Sequence, residues 1–97
     1  VVLELAALDL SHAAFFPNPF RSSSGQATFG FLPPRAEVRI FDLQGRLQQV
    51  LAEEDGDGGV YWDGRGADGE RLPSGVYLFR IQSGNAEKLG KLALVRD

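Results

Sequence analysis

The sequence predicts an all-β sandwich of about seven short antiparallel strands. Twelve Gly and five Pro divide the 97 residues at short intervals, and apolar or alternating runs lie between them. The runs recur at sandwich-like spacing, and helical periodicity is weak throughout. With 43% hydrophobic and 24% charged residues, the chain has a globular composition, and its length suits one domain.

Alternation of apolar and polar residues identifies the first strands. Residues 13–16 precede a proline and are predicted as a strand. In residues 26–32 the odd positions Ala27, Phe29 and Phe31 are apolar, which is typical of a half-buried strand. The proline pair that follows ends it, because proline cannot continue a ladder.

The central segment contains one irregular strand and one ambiguous run. Residues 37–43 alternate as far as Phe41, where the break predicts a bulge or burial on both faces. In residues 46–53, Leu47, Val50 and Leu51 would share a helical face. That run spans only about two helical turns and has no cap, so we predict a strand paired back on residues 38–43.

Three more strands are predicted in the second half, at residues 60–62, 76–82 and 87–96. Tyr77, Phe79 and Ile81 share one face of the middle strand of these three. We assign residues 15–97 to the domain and residues 1–14 to a linker or an extra first strand. The run from Val1 to Leu10 is compatible with a strand, a helical turn or a linker.

Composition excludes several classes of protein. The net charge of −3 gives no sequence-wide support for binding nucleic acid or an anionic membrane. The absence of Cys excludes a disulfide scaffold, a Cys-ligated zinc site and thiol catalysis. No apolar run reaches the roughly 20 residues that a membrane-spanning helix needs, so we expect no membrane span.

We expect neither enzymatic activity nor a cofactor. His12, the single histidine, lies in a presumed edge segment, where a structural role is more common than catalysis. Ser22–Ser24 lies in a loop, and nothing in the sequence places a base beside it. Most carboxylates occur in turns, where Asp hydrogen-bonds its own backbone, and no Gly-rich phosphate loop opens a helix.

The acidic residues suggest one metal-binding alternative. Residues 53–70 contain seven acidic side chains and Arg65 as the single basic one. Calcium prefers several carboxylate oxygens on a loop, but residues 55–59 lack the third acid and the distal Glu of an EF-hand. We therefore favour solvated Asp-Gly turns. The weak calcium candidates are Asp55, Asp57, Asp63 and Asp68.

The aromatic residues suggest a second alternative, a platform on which sugars stack. The chain has seven Phe, two Tyr and one Trp. Most alternate within strands or lie beside aliphatic residues, which favours a place in the core. Trp62 ends a predicted strand just before a turn, and we predict that it is buried beneath that turn.

Five short motifs follow one another along the chain: 17–20 (PNPF), 38–46 (VRIFDLQGR), 62–64 (WDG), 73–77 (PSGVY) and 91–96 (KLALVR). In this order they resemble the type A C-terminal domain that directs cargo through the type IX (Por) secretion system. That domain is related to the Ig-like domain of the flagellar hook-capping protein. The resemblance covers about residues 15–97 and implies an Ig-like sandwich; departures at residues 21–24 and at Gly66 lie in predicted loops.

Residues of the central motifs suit structural roles. Asp42 can accept backbone N–H bonds in a tight turn, Gly45 can take positive φ, and Arg46 can pair with Asp42. Gly75 lets the chain enter a central strand without a side chain, and Tyr77 fills the core. The motif residues assigned structural roles are Asp42, Gly45, Arg46, Trp62, Asp63, Gly64, Gly75 and Tyr77.

The resemblance implies a non-catalytic C-terminal module that directs secretion and cell-surface attachment of a larger modular protein. Its partner would be the outer-membrane secretion and attachment machinery, with a surface glycolipid or polysaccharide as a further ligand. The expected location is extracellular or on the bacterial surface, after export through the periplasm. The alternative is a structural or carbohydrate-binding Ig-like accessory module of a secreted enzyme.

Recognition is expected on the final strand. Three cations there, Lys88, Lys91 and Arg96, are predicted to form a stripe along an edge that a partner can reach. The predicted recognition residues are Lys88, Lys91, Leu92, Leu94, Val95 and Arg96.

Overall fold

The computed structural model describes residues 13–33, 35–53 and 58–97. In these ranges the chain forms a sandwich of a three-stranded and a five-stranded sheet, with one short 3-10 turn and no α-helix. The predicted all-β sandwich is therefore confirmed. Of residues 1–14, for which we predicted a linker or an extra first strand, residues 1–12 lie outside the described residues, and β1 begins at Ala14.

The sheets have the orders β1-β3-β6 and β2-β8-β7-β4-β5. Adjacent strands are antiparallel except for β2 and β8, which are parallel. The 3-10 turn spans Ser22–Ser24. The strands are β1 (Ala14–Phe16), β2 (Phe20–Arg21), β3 (Ala27–Gly30), β4 (Glu37–Phe41), β5 (Leu47–Ala52), β6 (Val60–Trp62), β7 (Gly75–Ser83) and β8 (Ala86–Val95).

All seven predicted strands are present, and the prediction missed β2. This strand has only two residues between a proline and a serine run, so it offers no alternation to read. The predicted strand at residues 26–32 also ends early, at Gly30. Phe31 has a φ of 59° and is 67% exposed, so its expected place on the buried face was wrong. Leu32 is buried instead.

The irregularity predicted near Phe41 is a β-bulge. Ile40 pairs with Gln49, whereas Phe41 pairs with Leu47, so Gln48 is the extra residue. The same register confirms the strand predicted in residues 46–53: it is β5, which pairs antiparallel to β4.

Aromatic rings from both sheets form the centre of the core. The Phe15 ring centroid lies 4.7 Å from that of Phe29 and 6.3 Å from those of Trp62 and Phe79. Trp62 is buried, as predicted, and its ring also contacts Tyr77 from the opposite sheet. Offset and edge-to-face pairs of this kind stabilise a core beyond the area that they bury.

At Gly90 a core ring packs directly against the backbone of β8. It pairs with Phe79 on β7, and a Cβ at this position would lie 2.4 Å from the end of the Phe79 ring. The ring therefore covers the β8 backbone directly, and the packing requires glycine at this position.

Candidate recognition site on the final strand

Strand β8 lies inside the five-stranded sheet and not at its edge. It has β7 on one side and β2 on the other, where Phe20 pairs with Leu94 and Arg21 with Val95. The predicted accessible edge is therefore wrong along this part of β8. The short β2 covers this edge, and no pattern in the sequence predicts it.

The segment before β2 extends this cover. Asn18 Nδ2 donates a hydrogen bond to the carbonyl of Lys91 at 3.3 Å, and the N–H of Ala93 donates to Asn18 Oδ1 at 3.1 Å. The amide side chain of Asn18 thus replaces a strand partner for β8. Sequence patterning missed this residue, because its partners lie more than 70 positions away.

Two predicted recognition residues belong to the core. Leu92 and Leu94 are each 1% exposed and face the opposite sheet. In the folded domain a partner cannot reach their side chains. Val95 is half-buried and alternates with them, so it lies on the other face of the sheet.

The three predicted cations lie on different faces of β8. Lys88 and Arg96 are on the core side, in phase with Leu92 and Leu94, whereas Lys91 is on the outer side. The half-buried Lys88 donates from Nζ to the carbonyl of Ala13 at 2.6 Å. The predicted continuous stripe is therefore wrong.

Arg96 binds two backbone carbonyls of the connection between β6 and β7. Its Nε donates to the carbonyl of Leu72 at 2.7 Å, and its Nη2 donates to the carbonyl of Gly64. Its own N–H donates to Ser74 Oγ at 2.8 Å. These bonds fasten the end of β8 to both ends of the connection between β6 and β7.

Lys91 is the one exposed cation of the three. Across the ladder it faces Leu78 of β7, and beside it lies a groove of about 260 Å³ that Asn18, Val76 and Ala93 also line. Its Nζ has no hydrogen bond or ion pair with any residue that the structure describes. Lys91 is therefore the predicted recognition residue most available to a partner.

The turn after β4 contains the expected contacts. Asp42 Oδ1 accepts the N–H groups of Gln44 and Arg46, each at 2.9 Å, and Asp42 Oδ2 lies 2.9 Å from Arg46 Nε. Gly45 has a φ of 84°. The N–H of Arg46, above all, lowers the pKa of Asp42, because this hydrogen bond favours the charged carboxylate.

The loop after β6 closes over the buried indole. Trp62 Nε1 donates to the carbonyl of Arg65 at 2.9 Å, and Asp63 Oδ1 accepts the N–H of Arg65 at 3.2 Å. Gly64 is buried between this loop and the end of β8, where a Cβ would lie 3.2 Å from Arg96 Nη2. These residues therefore position the loop that Arg96 binds.

Tyr77 connects the entry of β7 to the core. Its hydroxyl donates to the carbonyl of Pro73 at 2.7 Å, and burial raises the pKa of this hydroxyl. Gly75 begins β7 with a φ of 157°, a backbone conformation that favours glycine although open space lies where a Cβ would be.

Asp97 fastens the 3-10 turn to the end of β8. Its carboxylate accepts the N–H of Ser23 at 3.0 Å and the hydroxyls of Ser22 at 3.1 Å and Ser23 at 3.0 Å. These bonds, led by the N–H of Ser23, lower the pKa of Asp97. No sequence pattern connects these residues, which lie about 75 positions apart.

The calcium alternative concerns four residues. Asp63 and Asp68 are exposed, while Asp55 and Asp57 lie outside the described residues. Within the described ranges, no three or more His, Cys, Asp or Glu side chains come together in a group that could hold a metal. No helix in the same ranges is long and apolar enough to cross a membrane.

Two aromatic rings are exposed on the three-stranded sheet and a third lies just after β3, which the sequence did not indicate. Phe16 of β1, Thr28 of β3 and Tyr61 of β6 are in register across the strands. The ring of Phe31 lies 6.4 Å from that of Phe16. Phe16, Phe31 and Tyr61 are all solvent-exposed, and we call these three residues the aromatic strip.

Comparison with known proteins identifies related domains. Residues 22–87 match the family described as the FlgD Ig-like domain. A solved structure of PorZ from Porphyromonas gingivalis, an essential surface component of the type-IX secretion system, is 33% identical, with a TM-score of 0.78. That match covers 94% of this chain and 12% of PorZ.

A second solved structure, dimeric latent PorU from Porphyromonas gingivalis, is 25% identical, with a TM-score of 0.64. It covers 88% of this chain and 9% of PorU. The chain thus spans only a small part of either relative. No curated protein sequence matches it.

Proposed function

The chain belongs to the FlgD Ig-like domain family, and from this membership we propose that it is a non-catalytic module of the type IX secretion system. The observation that carries the proposal is the likeness to PorZ, which extends over nearly the whole chain. In PorZ the matching part is a small fraction of a long protein. A domain of this kind therefore acts as one module of a larger chain, at the cell surface or in the medium.

Within that system we assign the chain a sorting and attachment role. The outer-membrane secretion and attachment machinery would read the outward side of β8, and a larger passenger would be carried with it. Exposed Lys91 and the adjoining groove support this role, because they are the accessible part of the predicted recognition residues. Leu92, Leu94 and Arg96 would act by holding β8 in place.

The absence of catalysis and of a cofactor is part of the same proposal. The hydroxyls of Ser22 and Ser23 in the 3-10 turn support it, because both donate hydrogen bonds to the Asp97 carboxylate and so have a structural role. Two acids of the predicted motifs, Asp42 and Asp63, accept hydrogen bonds from backbone N–H groups of their own turns.

The test is a secretion assay with residues 1–97 fused behind a soluble reporter that carries its own signal peptide. In a bacterium with an active type IX system we expect the reporter on the cell surface or in the medium. The matched control is the same strain with the translocation machinery deleted, where the reporter should stay in the periplasm. Periplasmic retention of a folded fusion in the competent strain would contradict the sorting role and leave a structural module.

The aromatic strip favours a second candidate function, a carbohydrate-binding accessory module. Exposed aromatic rings aligned across a sheet offer flat apolar faces to sugar rings, and Thr28 lies between Phe16 and Tyr61 in the register. We expect this function to show as retention on microcrystalline cellulose or chitin, lost in Tyr61→Ala. Leu43→Ala, an exposed residue off the strip, is the control. Equal recovery of wild type and Tyr61→Ala would contradict it.

A further inference from the structure

The outward side of the five-stranded sheet is more apolar than a solvated sheet face. We call it the outer face; it consists of the side chains of β4, β5, β7 and β8 that point away from the core. Antiparallel sheets with one face in water normally place polar residues on that face. Here five large apolar side chains are 37–69% exposed and a sixth, Phe41, is half-buried. The exposed five are Leu47, Val50, Val76, Leu78 and Leu89.

Strand register makes these residues contiguous. Leu47, Phe41, Leu78 and Lys91 face one another in a row across four strands. Neighbouring strands lie about 4.8 Å apart, so this row is about 14 Å long. The next row on one side adds Val76, and the next row on the other side adds Val50 and Leu89, with Arg39 and Arg80 between them. The result is an exposed apolar patch around the row, of the kind that marks interaction sites on soluble proteins.

Most charges on this face are neutralised within the chain. Arg39 Nε lies 2.8 Å from Glu37 Oε1, and Arg80 Nε lies 2.6 Å from Glu87 Oε2. Lys91, at the end of the apolar row, has no such partner among the described residues. The outer face therefore offers apolar surface and a single unpaired positive charge.

We propose that the outer face docks a protein partner that presents apolar side chains and one carboxylate placed to pair with Lys91. The proposal takes the secretion machinery of the proposed function as the source of this partner. Complementary charge at an interface selects the partner and its orientation, while buried apolar contacts supply most of the affinity.

The charges also argue against two other occupants. A second copy would bring another unpaired lysine and no free acid on the same face, because Glu37 and Glu87 are already paired. An anionic membrane attracts clusters of several basic residues, whereas this face has an excess of one positive charge over the pairs described above.

The test uses photo-cross-linking in the type IX-competent strain with the reporter fusion. We would place p-benzoylphenylalanine at Leu89, on the outer face, and in a separate fusion at Leu43, which is similarly exposed but lies in the turn after β4. We expect an adduct from position 89 only, to a protein segment that contains an Asp or Glu among apolar residues. Lys91→Glu should reduce the adduct about tenfold or more, and Lys91→Arg should keep it.

Export of variants without the cross-linker provides a second measurement. Leu89→Gln with Lys91→Glu should reduce surface reporter about tenfold, whereas Leu43→Gln with Arg71→Glu should leave it unchanged. Trp62 fluorescence checks that each variant is folded. No adduct, an adduct to a second copy or to lipid, or an adduct insensitive to Lys91→Glu would overturn the proposal. An adduct without export would instead overturn the sorting role and retain the docking surface.

Discussion

Deletion of residues 91–97 is expected to abolish folding of the whole domain. These residues carry Leu92 and Leu94 of the core, together with the pairing of β2 along β8. Truncating one buried leucine typically costs about 2–5 kcal/mol, and a domain has about 5–15 kcal/mol in all. The deletion removes both leucines and the contacts of Arg96 and Asp97. The total free-energy cost therefore exceeds the stability of a domain.

The measurement is urea denaturation followed by far-UV circular dichroism and by fluorescence of Trp62, the single tryptophan. In the full chain the buried indole should emit at short wavelength and shift cooperatively to longer wavelength on unfolding. The truncated chain should show long-wavelength emission without urea and no cooperative transition. Lys91→Gln, which changes one exposed residue of the same segment, is the control and should unfold like wild type. A sharp transition in the truncated chain would show that β8 is dispensable for the fold.

This expectation determines how recognition is tested. Loss of export after deletion of residues 91–97 would follow from unfolding alone and would not locate a recognition surface. Substitution of exposed residues such as Lys91 and Leu89 leaves the core intact and separates the two effects.

Local patterns of alternation, run length and turn residues were enough to predict seven of the eight strands. Tyr77, Phe79 and Ile81 were predicted on one face of β7, and all three are buried. Strand β2 was not predictable in the same way, because its partner lies about 74 positions later in the chain. Its two residues form a strand only where β8 offers a free edge, so the cause is tertiary and not local.

The recognition site on the final strand stays a prediction, whereas the faces on which its residues lie can be compared with the structure. The sequence pointed to the final strand, yet it placed three cations on one edge. Alternation with the buried Leu92 and Leu94 puts Lys88 and Arg96 on the core side and Lys91 outside. This alternation between the two faces could have been read from the sequence. The contacts of Asn18 and Asp97 were not, because they depend on how distant segments meet.

Replacement of Arg96 by Met is expected to destabilise the domain by about 3 kcal/mol. The methionine keeps the aliphatic stem but removes both donors, so the carbonyl of Leu72 loses its bond from Nε and that of Gly64 loses its bond from Nη2. Gly64 retains the N–H of Leu72 as a donor, which limits the loss at that carbonyl. Arg96→Lys keeps the charge but not the two-pronged geometry, and we expect a cost of about 1–2 kcal/mol.

Urea midpoints read from Trp62 fluorescence measure this loss, because Arg96 binds the loop that covers the indole. The matched control is Arg71→Met, the same substitution at an exposed arginine whose guanidinium has no hydrogen bond or ion pair among the described residues. We expect it to change stability by no more than about 0.5 kcal/mol. If Arg96→Met were as stable as Arg71→Met, the connection between β6 and β7 would be held by packing alone. Arg96, which follows β8 directly, would then be free to serve recognition together with the exposed Lys91.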